Sequence, residues 1–322
     1  MYKYLYPFII AITIGNLAYA SPIPPAPNLN VKAYVLMDFD SGMILASTNK
    51  DLTLPPASIT KMMTAYLAFT ELNENNISLS EDVLVSKKAW KTGGSKMFIE
   101  VGKKIKFKEI LQGVITVSGN DASVALAEHI SGDENTFAIY MNQMAKNIGL
   151  ANTNYTNATG LPNDSLYTTA EDIALLSRSL ISNFPQLYKL YSTKSFKFND
   201  IKQYSRNKLL FIDDNVDGIK TGFTNAAGYC LASSAKRGNR RLIAVVMGAP
   251  TPDVRIQSSR TLLEYGFRFF ETHKLFKKDT EISKARVYGG DKSEVKFGLN
   301  QDSSITIPRR QKKNLKYQYV ID

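Results

Sequence analysis

Only one cysteine, Cys230, and two histidines, His129 and His273, occur in the 322 residues. A single cysteine cannot close an intramolecular disulfide, so stability has to come from the core. Neither histidine has a second His, Cys or carboxylate at zinc-ligand spacing, which disfavours a zinc peptidase. No G-x-S-x-G elbow is present, which disfavours a Ser-His-Asp hydrolase. The chain also lacks any G-x-G and any G-x-x-x-x-G-K, so dinucleotide and P-loop sites have no support, and neither a cofactor nor a metal is expected. If the chain is an enzyme, its base is not a histidine.

Long apolar runs are scarce as well. The first twenty residues, MYKYLYPFIIAITIGNLAYA, carry one early lysine, an apolar stretch from Leu5 to Ile14, and Ala18-Tyr19-Ala20 before Ser21. This pattern predicts a secretory signal over 1–20, cleaved near Ala20, rather than an anchor. No other stretch is apolar enough to span a bilayer, so the mature chain is expected to be soluble and periplasmic or otherwise extracytoplasmic.

What the chain has is an ordinary globular composition, with 44% hydrophobic residues, and a surplus of 40 Lys and Arg over 29 Asp and Glu, giving a net charge of +11. That excess suits an anionic polymer, and equally a soluble surface with scattered lysines. Residues 21–30, SPIPPAPNLN, form a proline-rich linker. VKAYVLMDFDSGMIL then reads as two strands around a turn at Asp40-Ser41-Gly42. Helical patterns follow from Pro55, over Phe107 to Val117, Ala122 to Ile130, Thr136 to Gly149 and Thr169 to Ser182. Strands return after Asp217, with Tyr229 to Ala235 and Leu242 to Gly248 joined by a turn at Gly238. A last helix is predicted over Pro252 to Glu271, and the lysine-rich remainder reads as a small β module. Strands at both ends and helices between them predict an α+β sandwich, in which an antiparallel sheet built from both termini is covered by helices.

The stretch PPASITKMMTAYLAF, from Pro55 to Phe69, places Ser58 and Lys61 three residues apart at the start of an otherwise apolar helix. A buried lysine is costly unless something uses it. Residues i and i+3 share a helix face, so the amine reaches the hydroxyl, and the two prolines put Ser58 in the first helical turn. A serine hydroxyl needs a base, and a lysine serves if burial and a neighbouring cation keep it neutral. The spacing alone is weak, because S-x-x-K occurs five times, also at Ser47/Lys50, Ser205/Lys208, Ser233/Lys236 and Ser293/Lys296. A helix-capping serine beside a snorkelling lysine is an even alternative for this pair alone.

Two further elements add weight. LQGVITVSGNDASVALAEHI places Ser118-Gly119-Asn120 at a break between apolar helices, where Ser118 and Asn120 project into one cleft or where Asn120 or Asp121 merely caps the next helix. VDGIKTGFTNAAGYCLASSA carries Lys220-Thr221-Gly222 into a strand, where Lys220 suits a carboxylate and Gly222 allows close approach of a ligand to the backbone. A second K-T-G, Lys91-Thr92-Gly93, lies in the polar run SKKAWKTGGSK and reads as a solvated loop.

With S-x-x-K, S-x-N and K-T-G in that order, the chain resembles the serine-type D-alanyl-D-alanine carboxypeptidases, the low-molecular-mass penicillin-binding proteins, whose motifs class A β-lactamases share. The resemblance runs from about Val31 to the start of the tail and implies a β-lactamase/transpeptidase-like catalytic domain over 31–272. It implies that Ser58 attacks the D-Ala-D-Ala peptide bond, Lys61 accepts its proton and Ser118 relays one toward the leaving amine. Asn120 then bonds the donor amide, and Lys220 with Thr221 binds the terminal carboxylate. The backbone N–H groups of Ser58 and of Phe223, next to Gly222, form the oxyanion hole. Peptidoglycan pentapeptide and β-lactam antibiotics are the implied ligands, with no role for nucleic acid.

The run from Asn157 to Asp164 departs from the family's His-Gly-Leu-Asp-like loop, with Thr159 and Pro162 in place of the His and Asp. The departure bears on deacylation rather than acylation. The tail over 273–322 resembles the family's second, β-rich domain, which is expected to extend beyond Asp322, and it shows no amphipathic membrane anchor. A β-lactamase needs a deacylating glutamate, and Glu171 in EDIALLSRS does not complete the E-x-x-L-N pattern. A transpeptidase differs only in whether an amine competes with water. A non-catalytic wall-binding protein is the alternative of another class.

Overall fold

A computed structural model describes residues 23–316; the predicted signal segment and the last six residues lie outside the described part. The chain divides into two compact units, one of residues Ala26–Gly266 and another that takes in Phe267 onward.

The first unit begins with strands β1 (Ala33–Asp38) and β2 (Ile44–Thr48), a 3-10 turn at Ala57–Thr60 and helix α1 (Lys61–Asn73). Strands β3 (Asp82–Leu84) and β4 (Lys104–Lys106) form a small hairpin around the short helix α2 (Lys87–Lys91). Helix α3 (Phe107–Gln112) runs into a π turn at Gly113–Val117, followed by α4 (Asn120–Ser131), α5 (Glu134–Ile148) and α6 (Ala170–Asn183). A second hairpin, β5 (Ser195–Phe198) with β6 (Ile201–Tyr204), and a turn of helix, α7 (Leu209–Ile212), precede the long strands. These are β7 (Val216–Thr224), β8 (Gly228–Arg237) and β9 (Arg240–Ala249), and helix α8 (Pro252–Phe269) follows.

The main sheet has the order β2-β1-β9-β8-β7, antiparallel throughout, so the two ends of the unit meet where β1 pairs with β9. Every residue of β1 is buried, because the sheet is covered on both faces and cannot alternate apolar with polar. Val35, Met37, Ile243 and Val245 join the large core shared with the central helices. Residues of the opposite parity, such as Leu36 and Leu242, meet Gly266 of α8.

Helix α1 is the axis of that core, with every residue from Lys61 to Phe69 buried. Burying each large apolar side chain there contributes about 1.5–3 kcal/mol, which anchors the helix firmly. The structure corrects one local expectation. Ser58 lies in the 3-10 turn, and Lys61 is the first residue of the α-helix. The pairing survives because side chains three apart eclipse in a 3-10 turn, with three residues per turn.

In the second unit β10 (Phe270–Phe276) pairs with β13 (Ser303–Pro308), and β11 (Glu281–Arg286) with β12 (Glu294–Gly298), both antiparallel. The tail is thus β-rich, as its short alternating segments predict. No helix among the described residues is long and apolar enough to cross a membrane.

Candidate active site

Three separate stretches of the chain converge on one cavity of about 360 Å³, whose lining includes Ser58, Ser118, Asn120, Thr221 and Phe223. Ser58 is presented by the 3-10 turn, just after Ala57 at φ 48°, a left-handed value that is uncommon outside glycine. The turn is seated by two glycines. A Cβ on Gly160 would lie 1.8 Å from the Ala57 carbonyl oxygen, and one on Gly222 would lie 2.9 Å from that of Pro56. Gly222 lines the cavity, and the Pro56–Ile59 segment packs closely against it.

Lys61 is 1% exposed. Its Nζ donates to Asn120 Oδ1 at 2.6 Å and to the Thr159 carbonyl at 2.6 Å, and it lies within hydrogen-bond distance of Ser58 Oγ at 3.2 Å. Burial holds its pKa well below the ordinary lysine value, and the charges of Lys220 and Arg206 push it further down. A neutral amine in this position has a lone pair with which to take a hydroxyl proton.

Ser118 ends the π turn in left-handed backbone at φ 62°, and such single-turn π elements and strained residues concentrate at functional sites. Its hydroxyl accepts a 2.8 Å hydrogen bond from Lys220 Nζ, which also donates to the Thr221 carbonyl at 3.2 Å. Lys220, 3% exposed, is pushed down to about 7 by burial, with Arg206 and Arg255 adding to the effect.

The capping alternative at Ser118-Gly119-Asn120 does not hold. The N-cap of α4 is Gly119, with no side-chain cap. Asn120 instead spans the site, accepting from Lys61 and donating through Nδ2 to the Gly93 carbonyl at 2.7 Å. Asp121 points the other way and ties down the neighbouring loop, accepting from the backbone N–H of Met97 at 2.8 Å and of Phe98 at 2.9 Å. Lys91 of the second K-T-G is exposed but ends helix α2 rather than lying in a loop, and Gly94 and Ser95 just beyond it line the cavity.

Arg206 and Arg255 also line the cavity, and neither belongs to a motif. Arg206 is exposed, while Arg255 is buried with its guanidinium 5.7 Å from the Tyr229 ring centre and its Nε without a partner. With no acidic residue in the lining, two guanidiniums make the site an anion receptor. Nothing local in the sequence marks either arginine.

The residues set aside earlier lie elsewhere. His129 pairs with Glu81, and His273 lies in the second unit. Glu171 is paired with Lys50 and does not line the cavity. Among the described residues no group of His, Cys, Asp and Glu forms a metal site.

Residues 20–251 match the D-alanyl-D-alanine carboxypeptidase family, and residues 270–322 match the C-terminal domain of penicillin-binding protein 5. The D-alanyl-D-alanine carboxypeptidase DacC of Escherichia coli K12 is 44% identical over 303 residues, covering 92% of this chain and 76% of that protein. Penicillin-binding protein 5 from Haemophilus influenzae superposes with a TM-score of 0.86 at 44% identity, over 92% of this chain and 86% of that one. Penicillin-binding protein D2 from Listeria monocytogenes, in its ampicillin-bound form, gives 0.69 at 31% identity, over 75% of this chain and all (100%) of that one. With its sheet, its helices and its three converging motifs accounted for, the chain belongs to the D-alanyl-D-alanine carboxypeptidase family.

Proposed function

We infer that this chain removes the terminal D-alanine from peptidoglycan stem pentapeptides through an acyl-enzyme on Ser58. The observation that carries the assignment of roles is the contact of buried Lys61 with Ser58 Oγ at 3.2 Å, beside a second buried lysine, Lys220, bound to Ser118. Ser58 Oγ attacks the carbonyl carbon between the two D-alanines as Lys61 takes its proton. The carbonyl oxygen becomes an oxyanion facing the backbone N–H groups of Ser58 and Phe223, whose charge-stabilising effect is felt only in the transition state. The C–N bond then breaks, and the leaving D-alanine nitrogen receives a proton through Ser118. Water opens the ester in a second step and regenerates Ser58.

Lys220 and the two arginines supply the positive charge that a terminal carboxylate requires, Thr221 adds a hydroxyl donor, and Asn120 holds the donor amide. A β-lactam carries the same carboxylate and a strained amide, so it acylates the same serine. Glu171, occupied by Lys50, leaves no glutamate to speed deacylation, which argues against a β-lactamase. The catalytic domain is taken as residues 31–272 and the β-rich module as 273–322. The chain acts outside the cytoplasm after cleavage near Ala20, in keeping with residues 1–20.

Incubation with a pentapeptide ending in D-Ala-D-Ala should release free D-alanine, and fluorescent penicillin should label the protein in a manner lost in Ser58→Ala. Labelling that persists in that variant, or penicillin hydrolysed quickly without a covalent adduct, would remove the assignment.

A further inference from the structure

Charge is unevenly shared along the chain. From Phe267 to Asp322 the sequence holds 13 Lys and Arg against 7 Asp and Glu, so this short part carries +6 of the net +11. Within it the acids lie against strand residues: Glu281 with Lys296 at 2.8 Å, Glu294 with Lys284 at 3.8 Å, Asp302 with Lys274 at 4.0 Å and Glu271 with His273 at 3.2 Å. Just after β13 the run RRQKKNLK sets Arg309, Arg310, Lys312, Lys313 and Lys316 close together with no acid between them. All of these are exposed, and among the described residues none has an acidic partner. The strands are neutralised and the tract is bare.

The backbone of the tract is tied into its unit. The Arg309 N–H donates to the Phe269 carbonyl at 3.0 Å, and its Nη2 donates to the Phe267 carbonyl at 2.9 Å. Arg310 adopts φ 68°, a left-handed value uncommon for a long side chain. Lys312–Asn314 form a 3-10 turn, with the Leu315 N–H on the Lys312 carbonyl at 3.1 Å. Like charges are thus held together against their own repulsion, which an anionic partner relieves.

The composition of the tract selects among polyanions. Leu315 is its one apolar side chain, so the tract offers no apolar face to enter a bilayer interface and suits a solvated polymer instead. The polymer that carries the substrate repeats a carboxylate at the end of each stem. Cleavage leaves a new terminal carboxylate, so that polymer stays anionic throughout the reaction. Several weak contacts to one polymer reinforce each other, because each is made at high effective concentration once the first has formed.

We propose that the tract from Arg309 to Lys316 holds the enzyme on the peptidoglycan polymer, through the carboxylates of stems other than the one being cleaved. The inference rests on the carboxypeptidase reading and adds an interaction surface to it. A soluble pentapeptide has no further stems and gains nothing from the tract.

The test uses the full chain and two triple variants that remove the same charge. Arg310→Gln/Lys312→Gln/Lys313→Gln strips the tract, and Lys274→Gln/Lys284→Gln/Lys296→Gln strips the paired strand lysines. Co-sedimentation with isolated sacculi should weaken about tenfold in the first variant, the order expected for several exposed ion pairs lost together, and much less in the second. D-Alanine release from sacculi should fall in step, while release from a soluble pentapeptide stays at the parent rate. Binding of the parent chain to sacculi should fade as salt is raised to about 0.5 M. Unchanged co-sedimentation of the first variant, or equal losses in both, would overturn the proposal. So would tract-dependent binding to phosphatidylglycerol vesicles that is tighter than binding to sacculi, which would make a membrane the partner. If the soluble pentapeptide releases no D-alanine and penicillin leaves the chain unlabelled, the carboxypeptidase reading has failed, and co-sedimentation still decides the role of the tract.

Discussion

Lys61 Nζ lies 3.2 Å from Ser58 Oγ but only 2.6 Å from the side-chain oxygen of Asn120, so the amine is held by a residue of the second motif more closely than by the hydroxyl it serves. Asn120 and the Thr159 carbonyl accept from the amine, which leaves its orientation toward Ser58 fixed before any substrate arrives. The cost of burying this polar head is met by hydrogen bonds rather than by a counter-ion. That arrangement suits an amine that must be neutral to act.

Removing either lysine should have unequal effects. Lys61→Ala deletes the proposed base and should slow penicillin acylation by about 10²–10⁴-fold, the usual worth of a positioned general base. Lys220→Ala removes a donor to Ser118 and to the carboxylate and should cost less, with much of its effect in KM. Stopped-flow acylation kinetics on both variants check the ranking; the reverse order would exchange their roles.

The pH profile should respond to Arg206. Its positive charge pushes both Lys61 and Lys220 down. Taking that charge away favours the protonated form of each, so Arg206→Gln should move the whole kcat/KM profile toward higher pH. In the parent chain Lys220 loses its proton near 7, and its attraction for a carboxylate declines as the pH climbs past that value. A profile that stays put would mean the lysines do not feel the guanidinium.

Stability should carry the opposite mark of the same chemistry. Lys220 has a folded pKa of about 7 against an ordinary 10.5. Between those values the unfolded chain binds more protons than the folded one, so this group makes stability rise with pH across that window. Its penalty is fully present below pH 7 and gone above about 10.5. Lys220→Met should therefore raise stability at pH 7 by about 1–4 kcal/mol while impairing catalysis. Urea denaturation at pH 7 and pH 10 measures both the gain and its disappearance.

Gly160 ought to be irreplaceable. It adopts φ +80°, and a Cβ there would collide with the Ala57 carbonyl at 1.8 Å. Gly160→Ala should destabilise the chain by about 2–4 kcal/mol and displace the Ser58 turn, with acylation falling more steeply than stability. Circular dichroism melting alongside penicillin labelling separates the two losses.

Several features were legible because their cause is local. The apolar run after Lys61 predicts a helix buried on most faces, and α1 is buried from Lys61 to Phe69. The β8–β9 hairpin follows from two β-rich runs around Gly238. The β5–β6 hairpin was missed although its signal is present. Asn199 and Asp200 both take positive φ, the two-residue turn that suits hairpins and favours such residues.

Other features were settled only by folding. S-x-x-K occurs five times and K-T-G twice, and chain-local patterns cannot rank the copies with certainty. The fold brings Lys220 to Ser118 across 102 positions and Asn120 to Lys61 across 59. It also turns the arginines 206 and 255 into walls of one cavity. The sequence by itself determined which segments become helix or strand and which residue types were available for the chemistry, because propensity and periodicity act over a few residues. Which lysine meets which serine, and how far each pKa falls, were decided by tertiary structure, because burial and charge proximity exist only once distant segments share one core.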